Sequence, residues 1–377
     1  MAAYRKLGIL GGGQLGKMLI QKAAQMGMHV SYLETSKDCP AYMVSPNIHI
    51  GNFKDFDDVY NFGKNLDVLT VEIEHVNLDA LYKLEVEGVE IHPSPRVLDC
   101  IRNKGRQKQF YNEFKIKSSE FKIFENKAEL LDHLKTKELP VVVKSTEGGY
   151  DGKGVWFIKN QDQLNDVPDT ELLLEEAVEI EKELAVIACS NGKETVCYET
   201  VEMVFDPEAN LVDYLLHPAQ ISEDINQKAQ NTAREVINAF GMQGLLAVEL
   251  FLTKSGEILV NEVAPRPHNS GHHTIESHTI SQYEAHLRGI LSLPLPLQKS
   301  ETNGAMLNLL GEESEGNTTL VGLEKLLNLS NCSLHLYGKS TSKPKRKMGH
   351  ITILDKDLEE LKNKIDFAKK NFKIIGQ

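Results

Sequence analysis

The chain has 377 residues, 25% charged and 41% hydrophobic, an ordinary balance for a soluble globular protein of two or three domains. Its formal charge of −12 argues against a nucleic-acid-binding surface while permitting a local basic site. No uncharged apolar run approaches the roughly 18 residues of a membrane span, the first residues lack signal-peptide character, and the five scattered cysteines contain no C-x-x-C pair, so a cytoplasmic protein with reduced thiols is expected.

The first hundred residues alternate strand and helix. Residues 7–10 form an apolar run that ends in glycines, and 14–26 carry Leu15, Met18, Leu19 and Ala23 at helical spacing. Further strands are predicted at 29–33, 68–71 and 89–91. The alternation predicts a parallel sheet with helices on both faces. His92-Pro93-Ser94-Pro95 closes this unit, giving a Rossmann-like domain over 1–100. Within it, Gly11-Gly12-Gly13-Gln14-Leu15-Gly16 fits G-x-G-x-x-G, and Glu34 ends the next strand. Glycines let backbone N–H groups approach a phosphate at a helix N-terminus. Three readings stay open here: an NAD-dependent dehydrogenase, a site for the phosphate of a smaller molecule, or a tight turn.

Residues 101–297 change character. Strands are predicted at 139–144, 155–158, 172–174, 184–188 and 196–198, a helix at 224–240, and a hairpin of 245–252 with 257–263 around a turn at 254–256. A glycine loop, Gly148-Gly149-Tyr150-Asp151-Gly152-Lys153-Gly154, joins two of these strands. Such a loop can close over a triphosphate and offer backbone donors. Lys144 at the end of the preceding strand is placed to neutralise phosphate charge. G-K-[ST] is absent, so this is not a Walker loop. Glu175-Glu176-Ala177-Val178 can present backbone groups to an adenine edge, and Glu183 can accept ribose hydroxyls. Glu249 and Glu262, one on each hairpin strand, with Asn261 beside Glu262, offer the oxygen ligands that Mg²⁺ prefers.

Four histidines, His268, His272, His273 and His278, fall within eleven positions and invite a zinc reading. The spacing lacks a cysteine or an H-E-x-x-H frame. The preferred reading makes Arg266, His268, Asn269 and Ser270 a polar loop, with the other three as loop and helix-start residues. Leu293-Pro294-Leu295-Pro296 opens a C-terminal region, 298–377, with strands at 305–310, 333–336 and 349–354. A final helix at 358–372 turns Leu358, Leu361, Ile365, Ala368 and Phe372 to one face. The densest positive run, 339–347, lies between two of those strands.

Lys144, the glycine loop, Glu175–Val178, Glu183, Glu249 and Asn261-Glu262, in that order, resemble the ATP-grasp superfamily. Together with Gly11–Gly16, Ala264-Pro265-Arg266-Pro267-His268-Asn269-Ser270-Gly271-His272 and Arg346-Lys347-Met348-Gly349-His350, they resemble the N5-carboxyaminoimidazole ribonucleotide synthetase family over nearly the whole chain. The segment 199–205 departs from that family's E-N-x-H pattern. The resemblance implies a mixed α/β and α+β fold. It has a Rossmann-like pre-ATP-grasp domain, an ATP-grasp domain whose lid covers about 118–180, and a small β-rich C-terminal domain.

The activity it implies is ATP-dependent carboxylation of 5-aminoimidazole ribonucleotide (AIR) with bicarbonate, through carboxyphosphate, in purine biosynthesis. It implies ATP on Lys104, Lys144, Gly149, Tyr150, Asp151, Gly152, Lys153, Gly154, Val155, Glu175, Glu176, Ala177, Val178, Glu183, Asn261 and Glu262, with Mg²⁺ on Glu249 and Glu262. AIR and bicarbonate are implied at Gly13, Gln14, Leu15, Tyr150, Asp151, His268, Asn269, Ser270, Lys339 and Arg346. Catalysis falls to Asp151, Arg266 and His268, Asp151 taking the amine proton. A cytoplasmic homodimer that passes its product to a separate mutase is also implied. Competing expectations are another ATP-grasp carboxylate–amine ligase, the dehydrogenase, which leaves the second glycine loop and the Glu249/Glu262 pair unexplained, and a non-enzymatic nucleotide-sensing module.

Overall fold

The computed structural model describes residues 5–148, 154–205, 212–296, 299–312 and 314–377. The chain begins with β1 (Leu7–Leu10), α1 (Gln14–Gln25), β2 (Val30–Glu34), β3 (Ile48–Ile50), α2 (Phe56–Gly63), β4 (Val68–Val71), α3 (Leu78–Val86) and β5 (Glu90–His92). Its five strands form a parallel sheet in the order β3-β2-β1-β4-β5. Both β1 and β4 are buried along their whole length, which is why they read as unbroken apolar runs. The glycine loop leaves β1 at the point where the strand order reverses, the usual ligand crevice of such sheets.

Two helices, α4 (Pro95–Ile101) and α5 (Lys104–Glu113), lead onward. The side chain of Asn103 caps α5 by accepting from the Arg106 N–H. Next come β6 (Phe121–Phe124), α6 (Lys127–Leu134), β7 (Val141–Ser145), β8 (Val155–Ile158) and β9 (Leu172–Glu176). They make a separate four-stranded antiparallel sheet, β6-β9-β7-β8, inside the stretch expected to form the lid. The central region follows with β10 (Ile180–Ser190), β11 (Thr195–Cys197), β12 (Val201–Phe205), β13 (Val212–His217), α7 (Glu223–Phe240), β14 (Gly244–Thr253), β15 (Ile258–Ala264), α8 (Thr274–Ser277) and α9 (Gln282–Ile290). The C-terminal region holds β16 (Asn303–Glu312), β17 (Gly316–Val321), α10 (Leu323–Leu327), β18 (Cys332–Leu336), β19 (Thr341–Ser342), β20 (Lys347–Asp355), α11 (Leu358–Asn371) and β21 (Lys373–Gly376).

The pairing of β13 with β16 joins the central and C-terminal strands into one 12-stranded sheet, so no break in the sheet follows Pro296. The predicted α11 stripe is buried at Leu361, Ile365 and Ala368 and at the capping Phe372. Seven strands, β3, β6, β12, β13, β17, β19 and β21, escape the sequence reading. Each is either five residues or shorter or only partly buried, which leaves too few apolar positions to mark it. Among the described residues no helix is long and apolar enough to cross a membrane.

The N-terminal sheet is covered on one face by α2 and α3 through Val59, Phe62, Leu81 and Leu84. Its other face packs on α1 and also on Tyr283, Leu287 and Ile290 of α9. His286 of α9 fastens this contact. The Leu245 N–H donates to its Nδ1 (3.2 Å), so its Nε2–H donates to Thr70 Oγ1 (2.9 Å). Burial, aided by His92, pushes the His286 pKa down to about 3. An unfolded histidine titrates near about 6.5, so the unfolded chain binds the extra proton between those values. The stability this group contributes is present above about pH 6.5 and is lost as pH falls toward the folded value. The unfolding free energy of the wild type is expected to fall with acidification up to about 1.4 kcal/mol per pH unit more steeply than that of His286→Gln. Urea melts at a series of pH values measure this, and parallel slopes would remove His286 as the cause.

Candidate active site

The central hairpin carries the acidic pair. Glu249 of β14 faces Glu262 of β15, yet Leu250 faces Val260. Asn261 is therefore the extra residue of a β-bulge. A bulge re-aims side chains that would otherwise alternate, and here the neighbours Asn261 and Glu262 both reach lysines lining one cleft. The Lys144 Nζ donates to Asn261 Oδ1 (3.2 Å), and Lys104 pairs with Glu262. Burial alone would push Glu262 up, but Lys104 outweighs it and holds the carboxyl below its usual range. Solvent still reaches Glu262 through the cleft mouth, where its side chain is 42% exposed. Glu249 lies deeper. Burial, then repulsion from Glu262 and Glu183, pushes it up to about 8. Two facing carboxylates that cannot both ionise without added positive charge, beside an amide oxygen, form a donor set that fits Mg²⁺.

A second network lies on the lid side. Glu175 at the end of β9 accepts from Ser119 Oγ (2.9 Å) and pairs with Lys144 (3.1 Å) and Lys108 (3.3 Å). Burial would raise the Glu175 pKa, but Lys144 and Lys108 outweigh it and hold it low. Burial also pushes Lys108 down to about 8, against the pull of Glu175. Lys104 and Lys108 share one face of α5 because they are four residues apart. These residues, with Gln107, Lys144, Leu173, Asn261 and Glu262, line one cleft between lid and central sheet. Lys108 and Gln107 are absent from the sequence reading, since α5 shows only a polar, weakly amphipathic pattern. Glu183 on β10 stands close enough to Glu249 to raise it, and burial brings Glu183 itself to about 7.

The remaining predicted nucleotide residues divide in two. Residues 177–179 connect β9 of the lid to β10 of the central sheet, and Glu176 pairs with Lys137. Gly154, at φ +73°, accepts from the Ser145 N–H (2.9 Å) just before the half-exposed Val155. Gly149, Tyr150, Asp151, Gly152 and Lys153 lie outside the described residues.

The loop after β15 brings a histidine to the acidic pair. His268 Nδ1 meets Ser270 Oγ (2.9 Å), and its Nε2 lies 3.8 Å from Glu249 Oε1. The buried Gln282 amide grips the His268 backbone from both sides, accepting from its N–H (2.9 Å) and donating to its carbonyl (2.8 Å). Asn269 opens the short turn 269–271 that follows. Arg266 pairs instead with Glu74 (2.8 Å), which ties this loop to the N-terminal domain.

The N-terminal glycine loop is already filled by protein carboxylates. The Gly12 N–H donates to Glu34 Oε2 (2.9 Å), and the N–H groups of Gly13 and Gly16 donate to Glu72. A Cβ on Gly13 would sit 2.6 Å from Glu72 Oε1, so glycine is needed there for the carboxylate's approach. A dinucleotide pyrophosphate would have to displace two acids, which disfavours the dehydrogenase reading. The Gly13 N–H, expected to face AIR, is engaged by Glu72, whereas Gln14 and Leu15 open α1 without intrahelical acceptors for their N–H groups. The basic run sits next to this helix. Lys17 of α1 donates to the Leu336 carbonyl (2.9 Å), Lys339 to the Lys347 carbonyl (2.7 Å), and Arg346 to the Thr341 carbonyl (2.6 Å).

Residues 4–102 match the ribonucleotide synthetase preATP-grasp domain, 109–283 the ATP-grasp domain, and 304–364 the phosphoribosylaminoimidazole carboxylase C-terminal domain. The chain is similar to the N5-carboxyaminoimidazole ribonucleotide synthase of Bacillus subtilis, at 35% identity over 95% of this chain and 94% of that one. It resembles the crystal structure of N5-carboxyaminoimidazole ribonucleotide synthetase from Thermotoga maritima, with a TM-score of 0.91 and 41% identity over 99% of this chain and 100% of that one. It also resembles the Aspergillus clavatus N5-carboxyaminoimidazole synthase in complex with ADP and 5-aminoimidazole ribonucleotide, with a TM-score of 0.89 and 34% identity over 98% of this chain and 100% of that one. The chain spans 66% of the length of the phosphoribosylaminoimidazole carboxylases of Vigna aconitifolia and Candida albicans that it also matches.

Proposed function

The chain belongs to the N5-carboxyaminoimidazole ribonucleotide synthase family of ATP-grasp enzymes, and from that premise we propose that it couples ATP cleavage to carboxylation of the exocyclic amine of AIR. The observation that carries this reading is the bulged hairpin, which aims Asn261 and Glu262 into the same lysine-lined cleft as Glu175. Lys144 and Lys104 bind the phosphates and neutralise their charge, the main requirement of phosphoryl transfer. Glu249 and Glu262 would hold Mg²⁺, which would supply positive charge against the phosphates. Residues 175–178 and Glu183 hold adenine and ribose.

Bicarbonate is the carboxyl source and carboxyphosphate the intermediate, shielded from water by the lid. His268, Asn269 and Ser270 line the amine end of the cleft, Arg266 orients that loop through Glu74, and Asp151 accepts the amine proton. The same reading includes a cytoplasmic homodimer and a separate mutase as recipient of the product. An ADP-release assay with AIR, bicarbonate or both omitted tests it. Release that requires both supports the reading, and release indifferent to AIR rejects it.

The AIR phosphate belongs with Lys339 and Arg346, beside the Gln14 and Leu15 N–H groups of α1. Arg346 offers a bidentate fork that lysine cannot reproduce. Loss of such a contact costs about 1.5–3 kcal/mol, so Arg346→Ala is expected to raise the AIR KM roughly ten- to hundred-fold and leave the ATP KM nearly unchanged. A rise in the ATP KM alone would assign the basic run to the nucleotide.

A further inference from the structure

The fold assembles a histidine cluster that the sequence scatters. His217 ends β13, His273 immediately precedes α8 and His278 immediately follows it. One nitrogen from each lies within 4.8 Å of the others, the only such group among the described residues. His217 and His273 are each 1% exposed, and none of their four ring nitrogens has a hydrogen-bond partner. A buried nitrogen without a partner is costly, and one on each ring is placed to coordinate an ion. Their rings stack with centroids 4.6 Å apart.

His278 is differently placed. Its Nε2 meets Glu199 Oε2 (2.9 Å), and its Nδ1 meets Ser277 Oγ (2.8 Å). The Ser277 hydroxyl donates to the His273 carbonyl (2.8 Å), so the His278 Nδ1 donates to Ser277 Oγ. The Ser300 N–H holds the other Glu199 oxygen (2.9 Å). A carboxylate and an imidazole thus share one proton beside two bare, neutral imidazoles. Burial, then the neighbouring His278, keeps His217 down at about 4. Burial, then His217 and His278, likewise pushes His273 well below its usual value. Neutral imidazole is the form that binds metal.

We propose that His217, His273, His278 and Glu199 form a structural Zn²⁺ site, separate from the Mg²⁺ pair at Glu249 and Glu262. The metal replaces the proton between His278 and Glu199, and that proton leaves to solvent. Three imidazoles and one carboxylate complete a closed tetrahedral set. Zinc bonds of about 2.0–2.1 Å set ligand atoms about 3.4 Å apart, so the three histidine nitrogens, now within 4.8 Å of one another, draw together while the 2.9 Å His278–Glu199 contact opens. The site ties the loop that carries His268 and Ser270 to β13 and to the segment at Ser300.

The test uses the full-length protein stripped with a chelator, then titrated with Co²⁺ in excess Mg²⁺ so that the carboxylate pair is occupied. The expected result is the strong visible absorption of four-coordinate Co²⁺, displaced by about one Zn²⁺ per chain, and lost in His217→Ala. No such absorption in the wild type, or its persistence in a folded His217→Ala protein, overturns the site. If His217→Ala does not fold, the wild-type titration decides alone. ADP release is not the readout, so failure here leaves the ligase reading untouched.

Discussion

Glu262→Gln is expected to lower the rate of ADP formation by about 10²–10³-fold while the protein keeps its fold. The substitution preserves shape and the bulge at Asn261 but removes one of the two charges that a divalent cation needs. It also leaves Lys104, now without its carboxylate, facing the phosphates alone. Solvent reaches Glu262 through the cleft mouth, so the loss of charge should cost little stability. Comparing steady-state ADP release with a circular-dichroism melt separates the two effects. A folded Glu262→Gln protein that turns over near the wild-type rate would reject the assignment of this hairpin to the metal.

Glu175→Gln should act on stability as much as on binding. Glu175 is 3% exposed and stands between Lys108 and Lys144, whose side chains are 3% and 9% exposed. Removing the acid leaves two buried ammonium groups without a counter-charge, a loss of about 3–5 kcal/mol when a buried pair is broken from one side. Lys108 already sits near 8 under burial, so it is the group that yields its proton. A lysine depressed below its unfolded value favours folding as pH rises, because the unfolded chain then binds more protons than the native one. The deficit of Glu175→Gln relative to wild type should therefore narrow as pH is raised from 7 toward 10. Urea melts across that range measure it. A deficit that is small at pH 7, or constant with pH, would mean that Lys108 does not depend on Glu175.

Much of the fold is legible because the signals are local. The period of apolar residues gives β1, α1, β4, α7 and α11, and the tight turn at 254–256 gives the β14–β15 hairpin. The acidic pair, Lys144 and the 266–270 loop are legible as residue types in order, since each lies on or beside an element with a clear pattern. What fails has a common cause. The sequence suggests simple alternation along β15, but the pairing changes register at Asn261, which only the partner strand imposes. Lys108 looks like an exposed helix lysine until α5 packs beneath the lid. Gly11–Gly16 leaves three readings open along the chain, and only folding brings Glu72, from the end of another strand, onto the Gly13 and Gly16 donors.

Local pattern along the chain marks many of the elements and the chemistry carried by each motif, because backbone propensity and side-chain periodicity act over a few residues. Only the tertiary structure decides which charges share a cleft and which polar atoms go unpaired, since burial and Coulomb interaction depend on distance in space. The four histidines of residues 268–278 carry no zinc spacing along the chain. Folding brings His268 to Glu249 and His272 to Gln282 and Tyr283, and brings His217 from β13 and Glu199 from the segment before β12 to His273 and His278. Ligand geometry is set by strand pairing across the sheet, and no spacing along the chain encodes it.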